Sequence, residues 1–438
     1  MGRTGSFLIQ KKAMAAGRYD VVVCGGGVSG FAAAVSAARE GLKTAVVEQM
    51  SFFGGTATGG LVVPISGFYH NGRRVAGGIG WELICRLEEA GAAVVELPKG
   101  HISVNIEYMK LFMQRMLVES GADLYTNCVL SDCILEGEQV TAAVIESKNG
   151  TEVLLGDCFI DATGDGALCH LAKVPMMEER RELQPMSLCF VMGGVDLTTD
   201  LMKNCIHHDG KNGSHSCNRE IEQFLKDRSD EVKQFGGPWF NTLLWGDGIA
   251  VNVTRSKGNG ADRAELTAAE LKLREDMFSI AGLLKEHYPE FANSYIITSG
   301  MGAGIRESRH ILGLETVTGQ DLISGRTYPC PVACCAHPMD MHRPNDSGQT
   351  LIPLPHPAYV PHKALIPRKV NNVAAAGRCI SADEKAYASL RVQATMMSMG
   401  EAAGLMARQF CEGERAMDRL SESKLSERFL KRGFLNGS

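Results

Sequence analysis

No apolar run in this sequence approaches the roughly 20 residues a helix needs to cross a bilayer, so no membrane span is predicted. A C-x-x-C pair is missing too, although there are 14 cysteines. Scattered as they are, and with no signal peptide ahead of them, they read as buried thiols in a reducing cytoplasm. Residues 1–18 carry Arg3, Lys11, Lys12 and Arg18 without an apolar h-region, and a disordered basic lead-in is expected there. Positive charge is not in excess: 45 Lys and Arg stand against 50 Asp and Glu, and the net charge of -5 argues against a nucleic-acid-binding surface. What remains is the profile of a soluble globular protein, 45% hydrophobic and 22% charged, and 438 residues is long enough for two domains.

The most informative stretch runs from Asp20 to Glu48 and reads as strand, glycine turn, helix, strand. Tyr19 to Cys24 is a short β-branched run that stops at Gly25-Gly26-Gly27-Val28-Ser29-Gly30, a G-x-G-x-x-G. In such a turn the first glycine permits the bend, and the second lets the backbone approach a pyrophosphate at the positive end of the next helix. The third lets that helix press on the sheet. The predicted helix, Phe31 to Glu40, carries Ala and Ser on its packing side and ends at Gly41; the second strand closes on Glu48, placed to accept hydrogen bonds from an adenosine ribose. A carboxylate there would repel a 2′-phosphate, which disfavours NADP.

A glycine pair follows in Gln49-Met50-Ser51-Phe52-Phe53-Gly54-Gly55-Thr56-Ala57-Thr58, then glycine-rich backbone to Ile79 that could run over a flat ligand. Helices are predicted over 81–90 and 107–119, and strands over 123–130, 139–147 and 152–159, with Asn149-Gly150 as a hairpin turn. The last strand leads into Asp161-Ala162-Thr163-Gly164-Asp165-Gly166, which resembles the strand end that flavoproteins bring back to the FAD phosphates and ribose, a resemblance that favours FAD over NAD. Glu178 to Glu182 reads as a solvated charge run, and 203–219, with His207, His208, His215 and Cys217, as a mobile surface segment. Further strands are expected over 185–195, 249–255 and 295–298, a long amphipathic helix over 266–287, a buried strand closing on Gly377-Arg378, and a helix over 391–410. The glycines at 300, 302 and 304 have the wrong spacing for a second dinucleotide turn, so no separate nicotinamide domain is expected. Residues after Cys411 read as a charged, peripheral helix.

With these pieces in order the chain resembles the large family of FAD-dependent oxidoreductases with a glutathione-reductase-type FAD fold, related to fumarate reductase flavoproteins and thiazole-synthase-like proteins. The resemblance rests on residues 25–30, 54–58 and 161–166, and on Gln184-Pro185-Met186-Ser187-Leu188, Val251-Asn252-Val253-Thr254-Arg255, Arg306-Glu307-Ser308-Arg309, Asp340-Met341-His342, Ala376 to Ser381, Arg391-Val392 and Gly400 to Gly404. It implies an α/β fold: a Rossmann-like FAD-binding domain with a parallel sheet, assembled from 18–70, 105–175 and 363–412. A cap segment at 71–104, an inserted α+β substrate domain at 176–362 and a charged tail at 413–438 complete the chain. It also implies FAD as cofactor, held by Gly25, Gly27, Val28, Ser29, Gly30, Glu48, Gln49, Gly54, Gly55, Thr56, Ala57, Thr58, Val129, Ala162, Thr163, Gly164, Asp165, Gly377, Arg378 and Gly404. The chain departs from the family pattern at Val360-Pro361-His362-Lys363, a segment expected to face the isoalloxazine, which puts substrate identity in doubt.

FAD performs hydride transfer itself, so the protein must place the substrate and move a proton. His342 and His362 are the candidate acid/base groups, each of which could equally be a hydrogen-bonded structural histidine. Arg306, Arg309 and Arg391 are candidates to hold a carboxylate or the charge of reduced flavin, although Arg306 and Arg309 could simply share a helical face. Cys330, Cys334 and Cys335, with His337 and His342 behind them, have ligand-type side chains; buried small thiols are the plainer account and no metal is assigned. The expected activity is oxidoreduction of a small polar metabolite with electrons passed to an unidentified acceptor. A tRNA-modifying flavoprotein and a non-catalytic flavin electron carrier are the alternatives.

Overall fold

The β-branched run does form the middle of a sheet, but its strand starts earlier than the sequence suggests. A computed structural model of the chain describes residues 10–97, 100–178, 182–205, 216–217, 219–228, 230–232, 234–244, 248–345 and 347–433. In it β1 spans Met14–Cys24. Residues 14–18, expected to be disordered lead-in, pair in parallel with Glu152 to Leu155 of β6 (Gly150–Asp161), across a register shift between Ala15 and Gly17. Backbone pairing along the sheet orders them although only two of the five, Met14 and Arg18, have side chains longer than a methyl.

The central sheet is ordered β3-β2-β1-β6-β5-β4, with β16 (Val373–Ala375) beside the last turn of β6. Here β2 is Thr44–Glu48, β3 Asp123–Thr126, β4 Val129–Glu136 and β5 Gln139–Ser147. Four neighbouring pairs are parallel: β1 with β2, β2 with β3, β1 with β6 and β6 with β16. The β4-β5-β6 extension is antiparallel, turning at Gly150 as the Asn-Gly signal predicts. All the parallel strands therefore stop at one edge, at Cys24, Glu48, Thr126, Asp161 and Ala375, which is where open α/β sheets bind ligands.

α1 (Val28–Arg39) joins β1 to β2, with its residues from Ser29 to Ala37 buried. Against it lies α6 (Gln393–Gln409), almost wholly buried. The two approach so closely that a side chain at Gly400 would meet the Ser29 carbonyl oxygen at 2.0 Å. α2 (Gly78–Glu89) and α3 (Ile106–Ser120) cover the same face.

A second sheet, antiparallel and ordered β8-β9-β10-β7-β11, comprises β7 (Phe190–Gly193), β8 (Ser216–Cys217), β9 (Phe235–Thr242), β10 (Ile249–Thr254) and β11 (Tyr295–Ser299). With α4 (Arg263–His287) it encloses its own apolar core around Phe190, Phe240, Leu273 and Phe291. α4 begins at an Asp262 cap, whose side chain accepts from the Ala264 and Glu265 amides. Two small antiparallel pairs follow: β12 (Pro331–Cys335) pairs with β15 (Ala358–Pro361), and between them in the chain β13 (Met339–His342) forms a hairpin with β14 (Gln349–Ile352). α5 (Glu384–Leu390) leads into α6.

The C-terminal helix α7 (Glu422–Arg432) is charged as expected, but it is not peripheral. Leu425 and Phe429 are buried and Arg428 bridges to Glu40 and Glu412, so an amphipathic stripe docks it. Among the described residues no helix is long and apolar enough to cross a membrane. The histidines at 207, 208 and 215 and most of the 178–182 charge run lie outside the described residues.

Candidate active site

Five segments that are distant in sequence meet at the sheet edge. The Gly25 amide donates to the Val47 carbonyl (2.8 Å) and the Ala162 amide to the Cys24 carbonyl (2.8 Å), so the glycine turn is pinned between β2 and the end of β6. The Gly54 amide donates to Gly26 (2.8 Å), which draws the glycine pair against the turn. The Ala376 amide donates to Asp161 (2.9 Å), and a side chain at Gly377 would meet the Ser29 hydroxyl at 2.8 Å. Thus 25–30, 54–55, 161–165 and 376–378 surround the start of α1, over which α6 is packed.

The acids there are held by backbone. Glu48 accepts from the Gly26 amide (2.8 Å) and the Met50 amide (2.8 Å); burial nevertheless raises its carboxyl above the ordinary value, offset in part by those donors. Asp161, fully buried, accepts from Thr163 and from the Cys169 amide (2.8 Å), which fixes the loop that follows. Asp165 collects Ser308 (2.6 Å) and Arg378 (3.0 Å).

FAD fits these residues on two observations. A methyl at Gly27 would meet nothing nearer than the Gly55 Cα at 4.0 Å, so the α1 N-terminus faces space that only a glycine leaves clear for an anion. The buried Arg378 Nη1 has no acceptor among the described residues, which leaves it free for a phosphate oxygen. Other members of the expected set have different surroundings. Thr58 spends its hydroxyl on the Phe53 carbonyl (2.7 Å), and Gly404 serves the packing of α6 on Ser36 and Ala33. Gln49, Thr56 and Val129 are exposed; Val129 is held near the Glu48 strand end by the Cys128 amide, which donates to the Glu48 carbonyl (3.1 Å).

A second cluster lies between α6, the loop after the glycine pair and the antiparallel sheet. The Met301 amide donates to Gly59 (2.8 Å) and Gln393 to the Val62 carbonyl (3.1 Å), tying the three together. The Ser187 hydroxyl accepts from Arg255 Nη1 (2.6 Å) and from Arg306 Nη1 (2.7 Å), so one oxygen holds two guanidinium groups together. Their remaining acceptors are uncharged: Asn252 and the Thr254 carbonyl for Arg255, the Pro185 carbonyl for Arg306. Asp340 Oδ2 meets both Arg391 Nη2 (3.1 Å) and His342 Nε2 (3.1 Å), while Oδ1 accepts from Gln349 (2.6 Å). Trp239 stands edge-on to His342 and face-on to Arg255, 5.2 Å from the guanidinium.

Burial and then the Arg306 charge push Arg255 well below its ordinary pKa; burial and then Arg391 bring Arg306 down to about 10. Burial alone would raise Asp340, but its bonds to His342, Arg391 and Gln349 hold it well below the usual carboxylate range. His342 is pushed well below its ordinary value by burial and then by Arg306, so the pair is a neutral imidazole resting on a carboxylate rather than two ions. Because the carboxylate only accepts, His342 carries its proton on Nε2 and leaves Nδ1 as the acceptor.

The structure brings Arg306, Arg391 and His342 together and leaves His362 elsewhere. His362 is buried in a short turn against α7, with Nε2 at 3.9 Å from Glu422, which also pairs with Lys363 at 2.8 Å. The segment expected to face the isoalloxazine thus places this histidine against the C-terminal helix. Residues 305–310 form no helix, so Arg306 and Arg309 share no helical face; Arg309 reaches the Ala261 carbonyl instead. Cys330, just before β12, and Cys334, within it, are buried thiols raised by burial to about 11 and about 12, and Cys335 is hydrogen-bonded to Ser389. Among the described residues no group of three or more Cys, His, Asp and Glu is arranged to hold a metal. Arg255, Ser187, Asp340 and Trp239 were missed as site residues, although the first three lie inside quoted signatures.

His337, His342 and His362 are all held below the ordinary histidine value, in each case first by burial. Below about pH 6.5 the unfolded chain therefore binds protons that the folded chain does not, so the stability these residues allow is present above that pH and lost as pH falls. The melting temperature is expected to drop between about pH 7 and about pH 5, at up to roughly 1.4 kcal/mol per pH unit for each histidine. A calorimetric melting temperature that stays flat across this window would contradict neutral, buried imidazoles.

A family model described as FAD dependent oxidoreductase matches residues 20–429. Digeranylgeranylglycerophospholipid reductase 2 of Methanothermobacter thermautotrophicus is 26% identical over 200 residues, 42% of this chain and 50% of that protein. Thiamine thiazole synthase of Methanococcus vannielii is 30% identical over 157 residues, 34% of this chain and 57% of its own. The chain thus spans about half the length of these curated relatives. Among solved structures, a geranylgeranyl bacteriochlorophyll reductase-like protein from Thermoplasma acidophilum aligns with 97% of this chain and 85% of its own, at 15% identity and a TM-score of 0.48.

Proposed function

The chain belongs to the FAD dependent oxidoreductase family, and from that premise we propose that it moves a hydride between a small polar metabolite and FAD, passing the electrons on to a separate acceptor. When bound, FAD supplies the hydride-accepting N5. The observation that carries the reading is the neutral His342 on Asp340, set among Arg255, Arg306 and Arg391 next to the loop that follows the glycine pair. Here Arg306 and Arg391 orient the polar end of the substrate, and His342 Nδ1 takes or returns the proton that accompanies oxidation of a C–H bond. Asp340 acts through His342, holding the tautomer and balancing charge as the imidazole gains a proton. Burial of the cluster excludes water from the reacting bond.

Anaerobic mixing of the oxidised holoprotein with a metabolite library, monitored at the flavin absorbance band, tests the reading directly. At least one polar metabolite should bleach the band, whereas a purified protein that neither carries nor binds FAD would sink it. With the bleaching compound in hand, His342→Asn should slow bleaching roughly 10²-fold or more and flatten its pH profile. His362→Asn should leave the rate unchanged while weakening the seat of α7. Equal effects of the two substitutions would remove His342 from the chemistry.

A further inference from the structure

The arginine cluster, buried at Arg255 and half-buried at Arg306 and Arg391, is out of electrical balance. Arg255, Arg306 and Arg391 bring three positive charges, His342 is neutral, and Asp340 is the one carboxylate that bonds any of them among the described residues. Arg255 and Arg306 have no ion-pair partner among the described residues, yet they share one hydroxyl; beyond burial, the Arg306 charge lowers the pKa of Arg255 and the Arg391 charge lowers both. Arg255 Nη2 and Arg391 Nε are buried and have no hydrogen-bond acceptor among the described residues. The Trp239 face offsets part of the Arg255 charge, but a ring quadrupole is weaker than an anion. Water could satisfy the two idle N–H groups; it could not offset two buried positive charges.

We infer that Arg255, Arg306 and Arg391 together form the receptor for a small organic dianion, with Arg255 as its deepest anchor. A substrate with two negative charges neutralises the cluster, and its carboxylate oxygens supply acceptors for the idle donors, one on Arg255 and one on Arg391. A monoanion leaves one positive charge uncompensated and a neutral molecule leaves two. The inference rests on the reading of this cluster as the substrate end of the site, and it adds the charge class of the substrate and a residue, Arg255, to the binding set.

The test uses the oxidised holoprotein and linear dicarboxylates of two to five carbons, each compared with its half-amide and its diamide, which keep the shape while removing one charge or both. Binding is followed by perturbation of the flavin spectrum and by the rise in melting temperature. The best dicarboxylate should bind at least tenfold more tightly than its half-amide, and the half-amide more tightly than the diamide. Arg255→Gln should abolish this ranking and Arg255→Lys should keep part of it. Because a buried substitution can unfold the chain, the charge series on the unaltered protein decides by itself. Equal binding of all three members, or no binding of any dicarboxylate, overturns the inference. If a neutral metabolite bleaches the flavin while dicarboxylates do nothing, the dianion falls and the oxidoreductase reading stands. If the charge ranking holds but nothing bleaches the flavin, the reverse is true.

Discussion

Gly30→Ala is expected to yield a colourless protein. The added methyl would sit 1.7 Å from the Gly25 carbonyl oxygen and 3.1 Å from the Ala162 side chain. Both the oxygen and the strand end are fixed, Gly25 by its bond to Val47 and Ala162 by its bond to Cys24, so α1 itself must move off the sheet. Overpacking of this kind costs about 3 kcal/mol or more. The shift also carries the helix N-terminus away from the position a pyrophosphate would occupy. The ratio of flavin to protein absorbance should fall at least roughly tenfold, since one such loss is only about 1.4 kcal/mol of binding, and the melting temperature should drop by several degrees. Gly27→Ala separates packing from ligand clearance. Beyond its chain neighbours, the nearest atom such a methyl would meet among the described residues is the Gly55 Cα at 4.0 Å, so the apoprotein should melt normally while FAD binding weakens. Equal loss of stability in both variants would mean that the turn is not shaped around a ligand.

Asp340→Ala is expected to be the most damaging single change in the substrate half. It removes the one carboxylate that, among the described residues, bonds to the arginine cluster, leaving the His342 and Gln349 donors without their acceptor and Arg391 with only the residue-340 backbone carbonyl. Removing one member of a buried charged pair costs about 3–5 kcal/mol. Removing an exposed pair such as Lys431 with Glu427 should leave stability nearly unchanged. The effect has a definite pH signature. Because folding depresses the Asp340 pKa, its stabilisation is present above the unfolded value near 3.9 and disappears as pH falls through the lower folded value. The difference in urea stability between the unaltered protein and Asp340→Asn should therefore be constant near neutrality and shrink in acid. A difference that grows in acid would show that Asp340 is not held ionised.

Much of the nucleotide half was legible in the sequence because its signals are local. The turn from Gly25 to Gly30, the acid at Glu48, the Asn149-Gly150 hairpin and the strand end at Asp161 each depend on residues within a few positions of one another. The structure places them as read, with β1 longer by residues 14–18 because sheet pairing outweighed local composition. Arg391 and His342 were legible as residue types near signatures. Their partnership through Asp340 was not, since it joins a hairpin to the end of α5 across 51 residues. Arg255 and Arg306 meet at Ser187, 68 and 119 residues away, and no periodicity carries that information. The docking of α7 beside His362 was hidden because a charged composition conceals the narrow apolar stripe of Leu425 and Phe429.

The amino-acid order by itself determined that this chain builds a glycine-turned βαβ unit with an acid at its second strand, because backbone conformation and strand periodicity are settled by near neighbours. Only the folded chain decided which histidine stands among the arginines and how many positive charges are left without a partner. Burial and charge balance are sums over residues that the sequence keeps far apart.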